Sequence, residues 1–189
     1  MSLGESRVFV NSGVSRYGIS DERLRQRGTS AHNTVKINGL NSSEVWSGFR
    51  VARRADIVNR LVSGASDAKS VKFSAGHNGY KKLGMNCIHY REWDISLMGC
   101  TVTDVLKGGF NSAIAYLHLH PDVDVVSSSK RECVLSVKGY EVRLDVTGAN
   151  IVVENSTWHP EFGISVESQR IRLQYLQSRV CYHISWQTL

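Results

Sequence analysis

Seven histidines are the side chains best suited to proton transfer or metal ligation in this sequence, because an imidazole titrates near neutral pH and coordinates metals well. His32 lies in the small-residue run Gly28-Thr29-Ser30-Ala31-His32-Asn33-Thr34-Val35, where backbone can approach a ligand closely. A His, Asn, Thr trio at a strand entrance suits acid–base work or carboxylate binding. The competing reading is a histidine hydrogen-bonded within a loop. His77-Asn78-Gly79-Tyr80 is a second polar cluster, and its glycine predicts a tight turn that aims His77 and Tyr80. His118 and His120 share a strand face with Tyr116, since alternate residues point the same way. With no acidic residue at matching spacing, that pair reads as sheet polarity rather than a metal site. Asp122 and Asp124 continue the alternation and read as strand polarity, not as a catalytic carboxylate pair.

No GxSxG, HExxH or phosphate-cradling glycine loop is present, so the common hydrolase, zinc-protease and nucleotide signatures are absent. The four cysteines, Cys87, Cys100, Cys133 and Cys181, form no CxxC pair and read most simply as small buried apolar residues, with disulfide pairing left open by the spacing.

The elements that must position these groups are strands. Apolar residues alternate with polar ones at a period of two far more often than they recur at three to four. This predicts strands over Arg7 to Asn11, Asn33 to Ile37, Gly48 to Val62, Ser70 to Gly76, His89 to Leu106 and Ser112 to His120. It predicts further strands over Glu132 to Val137, Tyr140 to Val146, Asn150 to Glu154, Ile164 to Leu176 and Arg179 to Thr188. Asn38-Gly39, Gly108-Gly109, Lys138-Gly139 and Thr147-Gly148-Ala149-Asn150 supply turns, because these residues tolerate positive φ. One short helix is expected near Ser20-Asp21-Glu22-Arg23-Leu24-Arg25, with Ser20 as cap and acidic residues at the positive end of the dipole. Many strands joined by short turns predict an all-β, two-layer antiparallel sandwich forming a single domain over residues 4–189. Met1 to Leu3 read as vector-derived.

At 189 residues, 41% hydrophobic and 21% charged, the chain can bury a substantial core and belongs to neither the disordered nor the collagen-like class. No stretch approaches the roughly 20 apolar residues of a membrane-spanning helix. A net charge of +6 fits either a solvated basic surface or an anionic partner. Arg23, Arg25, Arg27 and Arg50, Arg53, Arg54 lack the interleaved aromatics of a nucleic-acid motif, so no nucleic-acid partner is expected.

One set of motifs goes further. Arg27 to Val35, then Ile37-Asn38-Gly39, Ser43-Glu44-Val45-Trp46, Phe49-Arg50-Val51 and Arg53-Arg54-Ala55 resemble the signature of the heparinase II/III-like domain. His77-Asn78-Gly79-Tyr80, Leu119-His120-Pro121-Asp122-Val123 and Trp158-His159-Pro160-Glu161-Phe162-Gly163 follow in the expected order, and the resemblance spans nearly the whole chain.

The resemblance implies the C-terminal sheet domain of a polysaccharide lyase whose upstream half is a helical toroid, with the active cleft between the two. Such enzymes cleave uronic-acid polysaccharides by β-elimination, which demands neutralisation of the uronate carboxylate, a base for the neighbouring proton and an acid for the departing oxygen. In the family the toroid supplies a Tyr and an Asn or His, and the sheet domain supplies a His. The matching position is His32, as base or carboxylate-neutralising group. Asn33, Arg50, His77 and Tyr80 are the expected substrate-binding residues. Some relatives hold a structural metal, whose nearest ligands here are His32, Glu44 and His77. In those relatives a second His stands two residues before the ligand, where this sequence has Ser30. Catalysis by His32 without a metal is therefore the expectation, and no cofactor is required. The expected partners are an acidic polysaccharide and the toroid of the same parent chain; the chain alone is expected to be inactive, and the parent to work in the periplasm or cell envelope. The alternatives are a non-catalytic polysaccharide-binding module, with Trp46, Trp93, Trp158 or Tyr80 stacking on sugar rings, and a role in surface-polysaccharide assembly.

Overall fold

The computed structural model describes residues 1–63 and 70–189. Its strands, in chain order, are β1 (Ser2–Leu3), β2 (Ser6–Arg7), β3 (Val35–Ile37), β4 (Glu44–Trp46), β5 (Arg50–Ala52), β6 (Ile57–Ser63), β7 (Ser70–His77) and β8 (Cys87–Ser96). They continue with β9 (Gly99–Gly108), β10 (Ala113–His118), β11 (Asp124–Ser128), β12 (Glu132–Val137), β13 (Tyr140–Thr147), β14 (Ala149–Trp158), β15 (Val166–Tyr175) and β16 (Arg179–Thr188). Two short helices, α1 (Asp21–Arg27) and α2 (Gly79–Lys82), and a 3-10 turn at Thr29–Ala31 complete the described elements.

An eight-stranded sheet runs β11-β12-β13-β16-β9-β8-β7-β6, and a four-stranded sheet runs β14-β15-β10-β3. All the paired strands are antiparallel. Their side chains meet in one core, where Val142, Leu144 and Val146 of β13 and Val180, Tyr182 and Ile184 of β16 join Ala115, Leu117, Ile171 and Leu173 of the smaller sheet. The intervening Arg143, Asp145 and Thr147 are exposed. A period-two pattern thus puts one row of β13 in the core, and each Val or Leu so buried contributes about 1.5–3 kcal/mol. Leu3 is also buried in this core.

The all-β antiparallel sandwich is as expected from the alternation. Two of the predicted long strands are each divided. His89 to Leu106 is a hairpin of β8 and β9 turning at Leu97 and Met98, which are 89% and 75% exposed. The apolar alternation changes phase at this tip, from Trp93, Ile95 and Leu97 to Cys100 and Val102, and Gly99 follows it, a signal that the reading of one continuous strand passed over. Gly48 to Val62 is split into β5 and β6, with Arg53 at a positive φ of 37° just after β5. By contrast, Lys138-Gly139 forms the two-residue turn expected of it, with φ of 32° and 83° joining β12 to β13. Helix α1 carries the expected cap, Ser20 Oγ accepting from the Arg23 amide at 3.1 Å. The second helix was not foreseen: the predicted tight turn at Gly79 is a helical turn, α2.

Candidate functional site

His32 follows the 3-10 turn and enters β3. Its amide donates to the Thr29 carbonyl at 3.2 Å, and its carbonyl accepts from Thr34 at 2.8 Å, so its backbone is held on both sides. The ring is partly exposed. Nδ1 meets Asn11 Nδ2 at 3.0 Å, while Nε2 has no protein partner among the described residues and is open to solvent. Burial lowers the pKa of His32 below the ordinary histidine value, which favours a neutral ring at pH 7.

Two residues earlier, Ser30 lines a cleft of about 680 Å³ together with Arg16, Arg25, Thr157, His159 and Arg170. Arg25 is locked by Glu22, with Nε and Nη2 donating at 2.7 and 2.6 Å, and its Nη2 also reaches Thr157 Oγ1 at 3.0 Å and His159 Nε2 at 3.1 Å. The Arg25 hydrogen bonds hold the Glu22 carboxyl at about 2. His159 is buried, and its Nδ1 donates to the Ile164 carbonyl at 3.2 Å, which leaves Nε2 to accept from Arg25. Arg170 is held by Glu154 at 2.5 Å and lies 4.8 Å over the Tyr116 ring. The Ser30 carbonyl accepts from both Arg170 Nη1, at 3.3 Å, and His118 Nε2, at 3.0 Å. Burial, with Arg170 adding its charge, pushes His118 down to about 4. The result is a polar cleft with fixed cationic groups; His32, which has one nitrogen free, is not among its lining residues and follows the lining Ser30 by two residues.

Behind this surface lies a buried polar network. Gly79 N–H donates to His77 Nδ1 at 3.3 Å, His77 Nε2 contacts His89 Nδ1 at 3.2 Å, and His89 Nε2 meets Asp104 Oδ1 at 2.7 Å. The backbone donor at one end and the carboxylate at the other give the hydrogen bonds one direction, each ring donating from Nε2 and accepting at Nδ1. Burial first, then the neighbouring His89 and Arg91, push His77 down to about 4. Burial alone would raise the Asp104 pKa; the Arg91 charge and the hydrogen bonds from His89 and Arg91 outweigh it and hold the carboxyl well below the usual range.

Of the residues expected to act on or bind substrate, His32 and Arg50 present free polar groups to solvent. Arg50 is exposed on the β4–β5 ribbon, its guanidinium 4.6 Å over the Trp46 ring. The others are placed differently from the expectation. Tyr80 is fully buried and its hydroxyl donates to the Val35 carbonyl at 2.5 Å, because α2 turns its ring into the core instead of outward. His77 faces inward from β7 onto His89. Asn33 spends its side chain on the Val10 carbonyl at 3.1 Å and the His118 amide at 2.8 Å, bracketing two segments. Glu44 pairs with Arg53 at 3.1 Å. Among the described residues no three His, Cys, Asp or Glu side chains gather as a metal site, and His32, Glu44 and His77 do not converge. Sequence reading missed the pairings of Arg91 with Asp104, across the β8–β9 hairpin, and of Arg25 with His159, 134 residues apart, together with the place of Arg170; for Arg91, Asp104 and Arg170 the one signal was charge within strands.

Two antiparallel sheets around one core, with a polar arginine-bearing cleft and a partly exposed histidine, define a β-sandwich domain with a surface suited to polar ligands. The sequence matches the family described as heparinase II/III-like, C-terminal, over residues 1–187, and the chain belongs to that family. Among solved structures it is similar to the heparan sulfate lyase HepC from Pedobacter heparinus, with a TM-score of 0.76 at 12% identity, covering 96% of this chain and 29% of that one. It is also similar to a heparinase III, with a TM-score of 0.73 at 15% identity, covering 96% of this chain and 28% of that one. At such identities the likeness is one of fold, and the chain spans less than a third of the length of either structure. No curated protein matches the sequence.

Proposed function

We propose that this chain is the C-terminal β domain of a polysaccharide lyase that cleaves uronic-acid-containing polysaccharide by β-elimination, in a cleft shared with a helical toroid of the same parent chain. The observation that carries the reading is His32: its backbone is fixed, its Nε2 is free, and Ser30 of the arginine-bearing cleft lies two residues away. In the elimination a C–H bond beside the carboxylate breaks, a C=C bond forms and the glycosidic C–O bond breaks, with the departing oxygen taking a proton. Hydrogen bonding to the carboxylate stabilises the developing dianion. His32 acts on the carboxylate or its neighbouring proton, Arg50 binds acidic groups, and the remaining acid–base work falls to the toroid. The chain alone is then inactive, no cofactor is required, and the parent works on glycans of the periplasm or cell envelope.

A second reading, a non-catalytic module for acidic polysaccharide, is favoured by Arg50 stacked on Trp46, which is 46% exposed. A lyase assay separates the two. The parent protein and its His32→Ala variant are offered a panel of uronic-acid polysaccharides, and unsaturated product is followed by ultraviolet absorption. A fall of about a hundredfold or more with the fold intact supports the lyase. Binding without cleavage by the parent selects the second reading.

A further inference from the structure

The two nitrogens of the His32 ring are chemically distinct, and the residues around Nδ1 decide which of them carries the proton. Asn11 approaches Nδ1 with its amide group at 3.0 Å. An amide can present either its oxygen or its nitrogen, and the two choices impose opposite tautomers on the ring. The Gly13 backbone N–H removes the ambiguity: it donates to the Asn11 carbonyl oxygen at 3.3 Å. Turning the amide over would set the NH2 group against that N–H and leave two donors face to face.

Gly13 is itself fixed. It bridges to His159 in the parallel sense, its φ is +78°, and a Cβ there would lie 1.9 Å from the His159 carbonyl oxygen. His159 N–H in turn donates to the Ser12 carbonyl at 2.7 Å, and Ser12 N–H to the Ala31 carbonyl at 3.3 Å. The Asn11 segment is therefore tied both to the buried His159 and to the residue before His32.

We propose that Asn11 is a positioning residue that fixes neutral His32 as the Nε2–H tautomer, so that the ring offers its outward nitrogen as a hydrogen-bond donor to the substrate carboxylate and not as a proton-abstracting base. This rests on the reading of His32 as substrate-facing. The donor strengthens its bond as the carboxylate gains charge during elimination, and the proton stays on Nε2 throughout. Removal of the neighbouring proton is then assigned to a group of the toroid.

Long-range proton–nitrogen NMR correlations of the His32 imidazole, read on this 189-residue chain at neutral pH and assigned with His32→Gln, test the tautomer without any need for activity. The expected spectrum has a protonated Nε2 and an unprotonated Nδ1; a protonated Nδ1 or an even mixture overturns the proposal. Asn11→Asp replaces the donor with a carboxylate that can only accept, and it is expected to move the proton to Nδ1. If the ring keeps Nε2–H in that variant, Asn11 does not set the tautomer. Should Asn11→Asp fail to fold, the wild-type spectrum decides alone. In the parent lyase, Asn11→Asp is expected to lower kcat/KM toward the level of His32→Ala, about a hundredfold, and unchanged or raised activity overturns the donor role. An unaffected His32→Ala parent beside an Nε2–H ring would sink the catalytic reading and leave the tautomer assignment standing.

Discussion

Arg91 holds Asp104 in a two-pronged grip inside the sandwich, Nε to Oδ1 at 2.6 Å and Nη2 to Oδ2 at 2.8 Å, with both residues on facing positions of β8 and β9. Tyr175 adds a hydroxyl to Oδ2 at 2.8 Å, and the Arg91 Nη1 donates to the Asn33 carbonyl at 2.6 Å. A buried ion pair costs desolvation, but removing one partner leaves the other uncompensated. Asp104→Asn is therefore expected to destabilise the chain by about 3–5 kcal/mol, measured by urea unfolding. A loss under about 1 kcal/mol would show that water or rearrangement relieves Arg91.

Acid should begin to weaken the fold through two largely buried histidines. His77 and His118 both stand near 4 in the folded chain, below the ordinary 6.5. Between those values the unfolded chain binds protons that the folded chain refuses, so stability falls as pH drops from 6.5 toward 4, by up to about 1.4 kcal/mol per pH unit for each histidine. The depressed carboxyls Glu22 and Asp104 act in a lower window: their contribution is present above the ordinary carboxylate pKa and is lost as pH falls through their folded values. Urea midpoints taken from pH 7 to 4.5 check this. His118→Gln should flatten the slope, and a flat wild-type profile would count against the histidine assignment.

Tyr80→Phe separates a core role from a binding one. Loss of the hydroxyl leaves the Val35 carbonyl short of a buried partner, at a cost of about 1–3 kcal/mol. Saccharide binding should not change. Weaker binding at unchanged stability would return Tyr80 to the site.

Arg50→Ala should have the reverse profile. The side chain is exposed and its contact with Trp46 is a surface cation–π pair, worth about 0.5–1 kcal/mol. Retention of the parent on an acidic polysaccharide column should drop while the melting temperature falls by no more than about 4 °C. Equal retention would remove Arg50 from the binding surface.

Gly13→Ala is expected to cost about 1–3 kcal/mol, because the residue sits at a φ of +78° and a Cβ would collide with the His159 carbonyl. Thermal unfolding reads the loss. A neutral result would mean that this segment moves freely, contrary to its hydrogen bonding to Ala31 and His159.

Period-two alternation was enough to find the sandwich, and β12 and β16 have the bounds that the pattern predicts. Turn chemistry marked Lys138-Gly139 because positive φ is written into the residue types. The hairpin tip at Leu97 and Met98 carries a weaker mark, a change in the phase of the alternation with Gly99 behind it, and reads as continuous strand unless that phase is followed. The motif around His32 pointed to the histidine, but its neighbours in sequence were poor guides to its neighbours in space. Asn33, next along the chain, braces the fold, whereas Asn11, from a separate segment, holds the ring.

Strand periodicity and turn preference are local properties of residue type, so the sequence alone determined the fold class, while His32 was singled out by the resemblance of its motif to the family. The tertiary structure alone decided that Tyr80 and His77 face inward, that Arg91 meets Asp104 across two strands, and that Arg25 and Arg170 share a cleft. Those outcomes depend on strand register and on which sheet covers which face. A shift of one residue in pairing would exchange every inward side chain for an outward one, so such contacts are fixed only once both sheets close on the same core.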